Sequence, residues 1–120
     1  MTLALTPEIL RRAYDMLRAC APLKGWRLPP GEQVEFRVSR ARGILGQHVY
    51  SVESGCHRID ISAAGNGHLA TVVQTMAHEM IHLKQSIDGT ASAGAVHNAD
   101  FRRLAARICG ALGFDPKLFT

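Results

Sequence analysis

The stretch TMAHEMIHLKQ, residues 75–85, decides how this chain is read. His78 and His82 stand four apart, and Glu79 follows the first of them. Side chains at i and i+4 of a helix share a face, so both imidazoles can reach one point. Neutral imidazoles so placed can both bind a zinc ion, at about 2.0–2.1 Å. Glu79 projects about 100° further round the axis, so it flanks such an ion without ligating it, as suits a base that takes a proton from water. The competing reading is a helix with two histidines satisfied by hydrogen bonds in the core.

The segment 68–86 supports a helix. Leu69, Val72, Val73, Met76, Met80 and Leu83 fall within one apolar stripe, while Thr71, Thr75, His78 and His82 lie opposite, with Gln74 and Gln85 beside them. Upstream, LTPEILRRAYDMLRACA predicts a helix over about 7–21, with Thr6 as cap, Pro7 in the first helical position and Leu10, Ala13, Leu17 and Cys20 at helical spacing. PLKGWRLPPGEQ breaks it and reads as a loop around Trp26. VEFRVS alternates apolar and polar residues; RGILGQHVYSV and HRIDIS follow, separated by ESGC, and predict an antiparallel three-stranded meander. AAGNGH turns the chain into the central helix. Downstream, HNADFRRLAARICGALGF places Phe101, Leu104, Ala105, Ile108 and Leu112 at helical spacing, with Asn98 as cap and Gly113 as stop. The expected fold class is α+β, as one domain over residues 1–120.

Composition bounds the function. Of the 120 residues, 47% are apolar, enough for a core without disulfide support. The net charge is +4, and Arg37, Arg40 and Arg42 form the densest basic group, so a polyanion such as DNA is a candidate partner but not a required one. Cys20, Cys56 and Cys109 are odd in number and contain no C-x-x-C pair. That excludes a zinc ribbon within these residues and fits small buried thiols in a reducing, cytoplasmic setting. The start of the sequence has no basic segment ahead of a long apolar run, so no secretory leader is expected, and no stretch approaches the ~20 apolar residues of a membrane span. A monomer is expected.

An open zinc site needs a third protein ligand. No glutamate follows Glu79. Asp88 lies six residues after His82, but the sharp turn needed to bring it back calls for glycine where Gln85 stands, which leaves it the second choice. His97, the only histidine after the motif, follows the small-residue loop DGTASAGAV and is preferred.

TMAHEMIHLKQ, a variable loop, and then HNADFRRLAARI together resemble the SprT-like metallopeptidase family, which includes the Spartan proteases. The amino-terminal helix, KGWRLP before a first strand, and HRIDIS before the motif helix agree in order, so the resemblance spans about residues 6–114. It implies a minimal zincin-like fold, His78, His82 and His97 as zinc ligands, and Glu79 as catalytic acid/base in peptide-bond hydrolysis of protein substrates. It also suggests DNA-associated targets. Many relatives carry a cysteine-rich ribbon that these residues lack, which points to a small stand-alone form. Asn98 replaces the more usual glycine after the third histidine. Tyr50, His57 and His68 are candidates for an oxyanion donor, and Asp100 and Thr75 for groups that orient the ligands. The alternative function is a non-catalytic, zinc-stabilised module that binds DNA or protein.

Overall fold

The structure, a computed structural model, describes residues 4–92 and 96–119. The loop expected between the central helix and the next falls partly on 93–95, outside the described residues.

Helix α1 (Pro7–Arg18) begins where local chemistry dictates: the Thr6 side chain accepts from the Ile9 N–H at 3.2 Å, and Pro7 occupies the first turn. It ends three residues short of the sequence expectation, so Cys20 lies outside the helix and is half-buried. Two 3₁₀ turns follow (Leu23–Trp26 and Gly31–Gln33), and the first seats Trp26 in the core, with the Lys84 ammonium 5.6 Å from its ring centroid. Strands β1 (Val34–Ser39), β2 (Gly46–Ser51) and β3 (Cys56–Ser62) precede helix α2 (Leu69–Asp88). Helices α3 (Ala99–Leu112) and α4 (Pro116–Phe119) complete the described chain. Gly89 and Gly113 end α2 and α3 at φ of 74° and 80°, backbone angles that favour glycine.

The sheet is mixed, in the order β1-β3-β2, with β1 parallel and β2 antiparallel to β3, which corrects the antiparallel meander. The β2–β3 hairpin forms as expected, closed by the Gly55 N–H donating to Ser51 O at 2.8 Å. The error lies in the first connection. Residues 40–45 do not fold β2 back onto β1 but cross the end of β3, so that β3 is inserted between them. Polar groups hold that crossing. The Ser62 N–H donates to Leu45 O at 2.9 Å, the Ala63 N–H to Ser39 O at 2.9 Å, and the buried Asn66 amide to Leu45 O at 3.0 Å. Burial favours the same order. Ile59, Asp60, Ile61 and Ser62 are buried in succession, which suits a central strand, with Asp60 satisfied by Arg37 at 3.0 Å and Arg58 at 2.8 Å.

Helix α2 contacts α1, β2, β3, α3 and α4. On its polar side Thr75 and Gln85 are buried, as is Glu79, while Leu69, assigned to the core stripe, is exposed. Of the three free cysteines only Cys109 is buried; Cys56 lies exposed at the start of β3, which corrects the expectation of three buried thiols. Among the described residues, no helix is long and apolar enough to cross a membrane.

Candidate metal centre

His78 and His82 project from successive turns of α2, and His97 stands just before the Asn98 cap of α3. One ring nitrogen from each of the three lies within 4.8 Å of the others. The ring centroids are 4.9–5.3 Å apart. Donors of this kind and number fit a borderline-soft divalent cation with one coordination position left open.

The surroundings hold each ring in place. Phe101, fully buried one turn into α3, lies nearly parallel to His97 (centroids 4.1 Å apart, 9° between planes) and also contacts the rings of His82 and His78. The sequence marks Phe101 as part of an apolar stripe; its place beneath all three imidazoles comes from its position four residues after His97. His78 is held on its far side by α4, where Nδ1 lies 2.8 Å from the Phe119 carbonyl oxygen. A carbonyl can only accept, so Nδ1 carries the proton and Nε2 is left with its lone pair. The Gln74 amide donates to the adjacent Leu118 carbonyl at 2.9 Å, which ties α4 to the same face of α2.

Asp88, the second choice for third ligand, is turned outward, paired with Lys84 at 2.6 Å. Gln85 closes the gap between the helices instead. It is buried and donates to Asn98 Oδ1 at 2.9 Å and Asp100 Oδ2 at 3.1 Å, while Asn98 also caps α3 by accepting from the Phe101 N–H. The side chain at the position where the Asp88 alternative needed glycine thus helps hold the start of α3, and with it His97, against α2.

The SprT-like family profile matches residues 17–118. The chain belongs to the SprT-like family. No curated protein matches it closely enough to add a named relative.

In this SprT-like chain Glu79 is 4% exposed, on the side of α2 that faces β2. Burial raises its carboxyl to about 8, with a smaller push from the Asp60 carboxylate. Gly46, the first residue of β2, makes the close approach possible. A Cβ there would lie 2.9 Å from Thr75 Cγ2, 3.0 Å from Glu79 Oε2 and 3.1 Å from the Asp60 carbonyl oxygen. Gly46→Ala is therefore expected to destabilise the fold by about 1–3 kcal/mol and to displace the Glu79 carboxylate. A urea midpoint identical to that of the wild type would contradict this packing.

The expected auxiliary residues fall into place unevenly. Thr75 donates to the buried Asn66 at 2.7 Å, and Asp100 accepts from Gln85 and Arg103; neither holds a ring of the cluster. His68 is the exposed residue preceding α2 and lies outside the cleft. Tyr50 lines the cleft together with His48, and His57 stands beside them, its Nδ1 3.0 Å from His48 Nε2 and its ring 4.7 Å from that of Tyr50. His48 was missed in the sequence, although strand alternation puts 48 and 50 on one face.

Buried imidazoles and a buried carboxyl act in opposite directions on the pH response of the metal-free protein. Burial, and after it neighbouring imidazoles, hold His82 and His48 at about 4. Below their ordinary value of 6.5 the unfolded chain takes up protons that the native rings refuse, so stability falls with acidification. Glu79 acts in the other direction: its raised value stabilises the native state fully below 4.5 and loses that contribution as pH rises through about 8. With a chelator present, the urea midpoint is expected to peak between about pH 6 and 7. A midpoint that climbs steadily through pH 8 would sink the assignment of a neutral, buried Glu79.

Proposed function

We propose that this SprT-like chain is a zinc-dependent endopeptidase that hydrolyses peptide bonds in protein substrates. One observation carries the reading: three imidazoles converge within 4.8 Å, and the buried carboxyl of Glu79, next to His78 on α2, lines the same cleft. His78, His82 and His97 would hold the ion, which supplies Lewis acidity to activate water and polarise a carbonyl. Glu79 takes the proton of the attacking water and passes it to the leaving amine nitrogen, so the carboxylate is restored at the end of the cycle. Among the described residues strand β2 is bonded on one side only, to β3, and its other edge offers backbone donors and acceptors to an extended polypeptide.

The test is metal removal. Hydrolysis of an unfolded protein such as casein should vanish on chelation and return with zinc. Activity that persists in the chelated protein would overturn the reading. Three free cysteines agree with a reducing, cytoplasmic setting. The second reading, a zinc-stabilised module that binds DNA, rests on the exposed Arg40 and Arg42 in the crossing that leads to the cleft. It predicts salt-sensitive DNA binding without cleavage. A structural site has no use for Glu79 buried beside the imidazoles, which favours the enzyme.

A further inference from the structure

Beside His78, Glu79 and His97 the cleft includes a recess of about 320 Å³. Its walls come from two separate parts of the chain: Ile44 and Leu45 at the end of the 40–45 crossing, and Leu118 and Phe119 in α4. Three of these side chains are left in solvent, with Ile44 52%, Leu45 46% and Leu118 67% exposed. Apolar residues of this size clustered around a polar floor mark a binding surface more often than an accident of packing. The walls are also built in advance. The Leu45 carbonyl accepts from Ser62 N–H and from the buried Asn66 amide, and Asn66 in turn accepts from Thr75 on α2. The α4 wall is fastened by the bonds to His78 and Gln74.

We propose that this recess is a specificity subsite that takes one apolar side chain (Leu, Ile, Met or Phe) of an unfolded polypeptide next to the bond being cut. The proposal rests on the endopeptidase reading and names its substrate class. Three facts select the occupant. A peptide laid along the free edge of β2 alternates its side chains, so one of every two can turn toward the recess. Apart from His78, Glu79 and His97 of the site itself, no titratable side chain lines it among the described residues, so its walls offer a charged side chain no ion-pair partner. The size suits a side chain, standing at the low end of the roughly 300–1,000 Å³ usual for whole-ligand pockets. Large apolar side chains are mostly buried in folded proteins, so such a subsite selects locally unfolded segments.

The experiment has two arms, both on the full zinc-loaded chain. In the first, a peptide series identical except for one residue flanking the scissile bond compares Leu with Asn. The wild type should favour Leu by about 10–100-fold in kcat/KM, and the Ile44→Ser/Leu118→Ser double variant should bring that ratio down toward one. In the second arm, two peptide hydroxamates that differ only in the same side chain are compared for binding by calorimetry, which requires no catalysis. Preference for the Leu compound, lost in the double variant, supports the subsite even if no peptide is cleaved; in that case only the endopeptidase reading fails. Cleavage with a ratio near one overturns the subsite and leaves that reading standing. Neither cleavage nor preferential binding overturns both.

Discussion

Glu79→Gln is expected to lower peptide hydrolysis by about 10²–10⁴-fold while the protein keeps its zinc and its fold. Glutamine has nearly the same shape and fills the same buried space against Gly46, so the packing of β2 on α2 survives. What disappears is a group able to take a proton and release it again. The three imidazoles are untouched, so metal content measured by atomic spectroscopy should equal that of the wild type. The substitution also separates the enzyme from a DNA-binding module, which would behave as before. Full activity in Glu79→Gln would remove the proposed base and, with it, the chemical reason for the carboxyl's burial.

His97→Ala tests the other half of the site. Outer partners of a metal ligand are worth about 10–100-fold in affinity, and loss of a ligand itself should cost more than that. Competition with a zinc-sensitive chelator would measure the change. The fold should persist, because the cap of α3 is made by Asn98 and the bridge to α2 by Gln85, both independent of the imidazole. Asp88→Ala is the control: its carboxylate is engaged with Lys84 on the outer surface and should leave zinc affinity unchanged. If His97→Ala bound zinc as tightly as the wild type, the three-histidine arrangement would have to be given up.

Local signals in the sequence were read well, and distant ones poorly. Thr6, Asn98 and Gly113 mark helix ends because a cap or a left-handed residue acts on backbone groups within a few positions of itself. Alternation in VEFRVS and HRIDIS shows which residues share a face, but alternation is blind to which strand lies next door. The order β1-β3-β2 depended on Ser62 and Asn66 catching the carbonyl of Leu45, contacts 17 and 21 positions away along the chain. Leu69 went wrong for a related reason: its angle on the helical wheel is that of the core stripe, but among the described residues no element covers it, and it is exposed. The hydrogen bond from His78 to Phe119 spans 41 residues, and no spacing rule predicts a backbone carbonyl as partner.

The sequence by itself determined that His78 and His82 point one way from a single helix with Glu79 beside them, because helical geometry follows from spacing alone. It also narrowed the third position to His97 or Asp88. Only the tertiary structure sets the His97 ring beside the other two, with the start of α3 docked on α2 through Gln85, and pairs Asp88 outward with Lys84. The burial of Glu79 against Gly46 and the apolar walls of the cleft were likewise decided there. They arise where segments remote in sequence meet, and the energy of those meetings is not written in any one segment.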